Sequence, residues 1–273
     1  MLLSRVLLTA SLLLTGWALP GEHPARAQEA PAVDVALVLA VDASGSISPA
    51  EFDFQKQGIA SAITNEEVLA AVTGGRHGRI AIAYVEWGRP GGAAVMVDWM
   101  QVGSLDEANL FAASVLTAER SEQSFNALGD AVVLATAMIG TCPCRPTRRV
   151  IDVSGDNPDS RSHVPAPFAR DAAVAARITV NALAIISDGR IGPSGRPWLV
   201  ESYEANVIGG FAAFVMAAAD RSDFARALRQ KMILEIAGLT PESAPDSPAQ
   251  RMPVTQAAYA DREWPRPMSP HLD

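Results

Sequence analysis

Apolar residues in this chain fall into short continuous runs separated by amphipathic, Ala-rich stretches, the pattern expected when strands and helices alternate. The run from Val33 to Val41 is broken only by Asp34, which suits a strand covered on both faces. It ends on Asp42. Ser48-Pro49-Ala50-Glu51 then joins an N-cap hydroxyl, a proline at the first helical position and a capping carboxylate, so a helix is expected from Pro49 into the sixties. Arg79 to Trp87 and Ala94 to Trp99 predict two strands paired as a hairpin through the turn Gly88 to Gly92.

Ser104-Leu105-Asp106-Glu107 is a second capping box, opening a helix to about Ala118, and Ala127 to Ile139 predicts a largely buried helix. A short strand at Arg149 to Val153, a helix at Pro167 to Arg177 and a strand at Ile178 to Ile186 follow. Beyond the loop at 187–197 come a short helix to Asn206, a turn at Gly209-Gly210, a strand at Phe211 to Met216 and a last helix from Ser222 to Ile236. This order predicts one α/β domain over residues 33–237. Its sheet is doubly wound and mostly parallel, with helices on both faces and one antiparallel edge strand.

The flanks differ in character. Arg5, an apolar run from Val6 to Leu19 and Ala25-Arg26-Ala27 predict a secretory signal peptide over 1–27, followed by a short linker at 28–32. An N-terminal membrane anchor is the alternative, and the run is short for a span of about 20 residues. From 238 to 273 prolines are scattered among small and charged residues, which predicts a disordered tail. The expected destination is the bacterial periplasm or the exterior. The only cysteines stand as Cys142-Pro143-Cys144, so a local disulfide is expected in such a compartment; C-x-x-C redox and zinc motifs are not matched.

Charge narrows the partners. The net charge is −8 and the lysines are only Lys56 and Lys231, so nothing resembles a basic stripe for nucleic acid. Neither a dinucleotide fingerprint nor a phosphate-binding loop occurs, and G-x-S-x-G is missing.

The candidate chemistry lies at the end of the first strand, where Asp42-Ala43-Ser44-Gly45-Ser46 places one carboxylate and two hydroxyls at the carboxyl edge of a sheet. Oxygen donors of this kind suit a hard cation that keeps several waters. A capping turn, with the same groups satisfying backbone amides, is the other reading of the isolated string. Val38 to Ser46 (VLAVDASGS) resembles the opening of a von Willebrand factor type A domain with its metal-ion-dependent adhesion site. Ser124-Phe125-Asn126-Ala127-Leu128-Gly129-Asp130 resembles that family's second loop, with Ser124 in place of the usual Thr. Val150 to Asn157 (VIDVSGDN) resembles the third, with Gly155 intervening and Asn157 replacing a glycine. Tyr203 to Phe214 and the helix with Lys231 and Glu235 resemble an uncharacterised secreted bacterial branch of the superfamily.

The resemblance implies that Ser44 and Ser46 bind Mg²⁺ or Mn²⁺ directly, Ser124 directly or through water, and Asp42 and Asp156 through water. Asp152 is then expected to point into the interior. The implied function is adhesion without catalysis, through an acidic side chain of a partner protein. Two rivals stand beside it: a degenerate scaffold that binds no metal, and a Mg²⁺-dependent phosphatase with Asp42 as nucleophile. The latter class usually has a second Asp where this chain has Ser44.

Overall fold

The computed structural model describes residues 29–241. The expected leader and the tail from residue 242 onward lie outside the described residues. Six strands form one sheet in the order β3-β2-β1-β4-β5-β6. They are β1 (Ala32–Asp42), β2 (Ile80–Trp87), β3 (Ala94–Val102), β4 (Arg145–Gly155), β5 (Thr179–Ile185) and β6 (Val215–Ala218). Only β3 runs antiparallel, at the edge beside β2.

Strand alternation sorts the core into two layers. Val35, Leu37, Leu39 and Val41 of β1 face one cluster, while Val38 and Ala40 face the other. The first cluster is roofed by α1 (Pro49–Ile63), α2 (Glu66–Thr73), α3 (Leu105–Thr117) and α7 (Phe224–Ala237). The second lies under α4 (Leu128–Gly140), α5 (Ala166–Ala175) and α6 (Trp198–Asn206). The capping box has formed at Ser48, whose hydroxyl accepts from Glu51 N while the Glu51 carboxylate accepts from Ser48 N. At α3 the Ser104 hydroxyl accepts from Glu107 N, but the Glu107 carboxylate accepts from the Ser104 hydroxyl and from Gly103 N, one residue earlier. Cys142 and Cys144 are joined in a disulfide at the entry to β4.

The helix expected from Pro49 into the sixties is present and ends at Ile63; a second helix, α2, not among those expected, follows because Asn65 recaps the chain by accepting from Glu67 N at 2.9 Å. Two expectations need correction. The last strand begins at Val215 instead of Phe211, since Gly210 (φ 98°) and Ala212 (φ 55°) hold left-handed turns that an extended strand excludes, leaving Phe211 91% exposed. Finally, β4 starts at Arg145, ahead of Arg149, because its first residues pair with Ala32 and Val33 of β1.

Asp152 is buried on β4, as expected. Its Oδ1 lies 2.7 Å from Nζ of the fully buried Lys231, which also pairs with Glu235 one turn further along α7. Asn181 of β5 completes the group: its Nδ2 donates to Glu235 Oε1 at 2.9 Å and its Oδ1 accepts from Phe214 N at 3.1 Å. Two carboxylates share one ammonium here, and burial, then the charge of Asp152, push the Glu235 carboxyl up to about 8 against the opposing pull of Lys231. Removing Lys231 would strand buried charge at a cost of about 3–5 kcal/mol.

That shift has a sign. An unfolded glutamate releases its proton near 4.5, whereas folded Glu235 keeps it to about 8, so the folded state binds more protons in this window. The stabilisation is complete below 4.5 and is lost as pH rises through about 8. Glu235→Gln keeps an oxygen acceptor for Lys231 and Asn181 but cannot titrate, so its unfolding free energy should depend less on pH across that window. Urea denaturation at both ends of the window checks this, and an unchanged slope in the variant would refute it.

Candidate functional site

The carboxyl end of β1 is the sheet's switch point, because β2 lies on one side of it and β4 on the other. Loops leaving such neighbours diverge and open a crevice, the usual ligand position in an open α/β sheet. Asp42 closes β1 there, in register with Trp87, and is fully buried. Its Oδ1 accepts from Ser44 N at 2.8 Å, while its Oδ2 is buried without a hydrogen-bond partner. Burial, then the charge of Asp156, push the Asp42 carboxyl up to about 7, against the Ser44 hydrogen bonds and the Arg221 guanidinium. Ser44 is buried and Ser46 exposed, with their hydroxyl oxygens 3.1 Å apart. Arg120 clamps this loop: Nη2 donates to the carbonyls of Ala43 (2.9 Å) and Ser44 (3.0 Å), and the guanidinium stacks 4.6 Å from the centre of the Phe52 ring.

The second loop, between α3 and α4, carries Ser124 exposed to solvent. A buried carboxylate anchors it, since Ser121 N and Oγ each donate to Glu86 Oε2 at 2.7 Å while Tyr84 OH donates to Oε1 at 2.9 Å. Gln123 extends the tie, accepting from Arg89 N at 2.7 Å and donating to the Gly92 carbonyl at 2.7 Å. The approach is tight enough to require glycine. A Cβ on Gly88 would lie 2.8 Å from the Phe125 carbonyl oxygen and 3.1 Å from Ser44 Cα. A Cβ on Gly45 would meet the Ser124 carbonyl oxygen at 3.5 Å, so the first and second loops touch.

The third loop begins after Gly155, where an added Cβ would fall 2.8 Å from the Tyr203 hydroxyl and 3.0 Å from the Trp87 ring. Asp156 follows and is buried. Its Oδ1 accepts from Asn157 Nδ2 at 2.7 Å, and its Oδ2 is ion-paired with Arg221 Nη2. Arg221 Nε reaches Glu51 Oε1 at 3.1 Å, so one guanidinium bridges the third loop and the start of α1. The Tyr203 hydroxyl donates to the Asn157 carbonyl at 2.8 Å.

Asp42, Ser44, Ser46, Ser124 and Asp156 therefore all stand on three adjoining loops at one sheet end, with Asp152 excluded from them. Sequence reasoning missed Arg120, Glu86 and Arg221, and gave Glu51 only its capping role. Among the described residues no group of three or more His, Cys, Asp or Glu is placed to hold a metal ion. Any cation here would lean on hydroxyls, and the donor set of serine and aspartate oxygens fits a hard ion that retains water. One unpartnered buried oxygen, Asp42 Oδ2, supports that fit. The element that fits less simply is Asp156, whose charge Arg221 already balances.

The fold is that of von Willebrand factor type A domains. A von Willebrand factor type A protein from Catenulispora acidiphila matches with a TM-score of 0.50 and 15% identity, over 75% of this chain and 43% of that one. The pilus adhesin SpaC from Lactobacillus rhamnosus GG matches with a TM-score of 0.52 and 13% identity, over 77% of this chain and 31% of that one. Proximal thread matrix protein 1 from the mussel byssus, with a zinc-occupied MIDAS motif, matches with a TM-score of 0.52 and 14% identity, over 76% of this chain and 48% of that one. The chain thus spans less than half the length of these structures. No curated protein matches it. The match to one family runs over residues 32–240, from the first strand to just past the last helix, and the chain belongs to that family, described as protein of unknown function (DUF1194).

Proposed function

We propose that this is an exported binding protein whose three-loop site takes a divalent cation and, through it, an acidic side chain of a partner protein. The single observation that carries the reading is Asp42: a fully buried carboxylate oxygen without a partner, directed from a strand end where the serine-bearing loops converge. Leaving such an oxygen bare is costly, and a cation or its water relieves the cost. When bound, the cation supplies an electrophilic coordination position for an incoming carboxylate. Ser44 and Ser46 would hold the cation through their hydroxyl oxygens, Ser124 through a third at the rim, and Asp42 and Asp156 would act on it through water. Arg120 fixes the carbonyls of the first loop, while Glu86 holds the backbone that carries Ser124.

The zinc-occupied motif in the mussel protein and the adhesin role of SpaC support a divalent ion and a protein partner on this fold. Mg²⁺ or Mn²⁺ remains the choice made from the oxygen donors. The Cys142–Cys144 disulfide fits the oxidising compartment that the leader at 1–27 implies. Among the described residues no helix is long and apolar enough to cross a membrane. The phosphatase alternative loses support because Asp42 Oδ1 is tied to Ser44 N and the residue two positions on is Ser44, where a second Asp is expected. A metal-free scaffold is favoured by one observation, the Arg221–Asp156 pair.

Asp42→Asn preserves the shape and the acceptor for Ser44 N but removes the charge, so Mn²⁺ binding followed by calorimetry should fail while the fold survives. Asp156→Asn should weaken binding less, because Arg221 already shares that carboxylate. Retained affinity in Asp42→Asn would overturn the site. Glu86→Ala should cost about 1–3 kcal/mol by leaving the Ser121 amide and the Tyr84 hydroxyl unpaired, and should speed hydrogen exchange across residues 121–126. Exchange as slow as in the parent would show that another group holds the loop.

A further inference from the structure

Among the described residues, the arginine ion-paired with Asp156 is Arg221. It opens the short 3-10 turn Arg221–Asp223 after β6, ahead of α7, and its side chain is only 20% exposed. Its guanidinium is engaged on two sides, Nη2 with Asp156 Oδ2 and Nε with Glu51 Oε1, while Nη1 is buried without a hydrogen-bond partner. A planar fork seated between two carboxylates delivers a fixed positive charge to the wall of the three-loop site. A divalent cation drawing on the same Asp156 would meet that charge at close range, with little solvent to screen it. Glu51 gives the arginine a second anchor, so the guanidinium can yield Asp156 without leaving the protein.

We propose that Arg221 is a built-in competitor of the divalent cation for Asp156, setting the affinity of the site by holding the third-loop carboxylate in a salt bridge until the cation displaces it. This rests on the cation reading of the site. It also explains how a chain with an orphaned Asp42 oxygen can satisfy its second site carboxylate internally. Cation loading then exchanges one ion pair for another, so affinity is lower than the carboxylates alone would give. A residue that merely oriented Asp156 for the cation would have the opposite effect on affinity.

The test is titration of the exported full-length protein with Mn²⁺, reading free ion by electron paramagnetic resonance and stability by thermal melting with and without the ion. Arg221→Gln removes the competing charge and should bind Mn²⁺ about ten-fold or more tightly than the parent. It should also melt lower in chelator and recover more on adding Mn²⁺. Arg221→Lys keeps a charge but cannot fork onto both carboxylates, so a smaller tightening is expected. If Arg221→Gln does not fold, the lysine variant decides by the same comparison. Adding Asp42→Asn to Arg221→Gln should abolish the gain, placing the ion at this site. If parent and variants bind alike, Arg221 does not act on the ion; if the variants bind more weakly, it is a positioning residue; in either case the inference fails while the cation reading stands. If neither parent nor variants bind Mn²⁺, both fall together.

Discussion

Burial of Asp42 is the constraint around which the upper end of this molecule is organised. A strand covered on both faces carries its last residue into the interior, so a carboxylate placed there cannot be solvated as it would be on a surface. One oxygen is satisfied by the next turn of its own loop, at Ser44 N, and the other is left without a partner. The surroundings respond with positive charge and fixed dipoles. Arg120 pins the loop carbonyls from one side, and Arg221 balances the neighbouring Asp156 from the other. The carboxyl of Asp42 rises to about 7 despite the Ser44 hydrogen bonds and the charge of Arg221, so burial and the charge of Asp156 outweigh them.

The same strand system solves a second charge problem differently. Asp152 and Asp156 are four residues apart on β4 and its exit, yet Asp152 is sealed beneath α7 with Lys231 and Glu235, while Asp156 lies at the crevice. In the interior cluster each charge has a partner within the core, and Asn181 fastens the assembly to β5 and to the start of the β6 segment. At the crevice the partner is an arginine with partial exposure and a second carboxylate to turn to. The first arrangement fixes α7 against the sheet. The second leaves Asp156 paired at the crevice with an arginine that also holds Glu51.

The fold was legible because its strands are buried on both faces, which leaves runs such as Val33 to Val41 with few polar interruptions, and because capping-box sequences at Ser48 and Ser104 mark helix starts locally. Where the outcome depended on local competition, the reading slipped. Asn65 reopens a helix after a break of two residues, and positive φ angles at Gly210 and Ala212 delay the last strand, neither of which a hydrophobic period encodes. The aspartates and serines of the site were legible as a string and two further loops. Their supports were not, because Glu86 acts on Ser121 and Arg221 on Asp156 across 35 and 65 residues of chain. An isolated arginine after Asp220 carries no sign of which carboxylate it will meet.

The glycine that ends β4 has a packing cause. Trp87 ends β2 in register with Asp42, and Tyr203 on α6 reaches over the end of β4 to the Asn157 carbonyl. Between these rings the backbone has room only for a residue without a side chain, and Gly155 takes that place. The intervening glycine therefore sets Asp156 one step past the end of β4, at the height of Arg221 and of the first turn of α1. A loop with its carboxylate at residue 155 would set a side chain against two rings. The glycine at the end of β4 is thus required by a large aromatic pair, and Arg221 is the charge that the carboxylate placed after it faces.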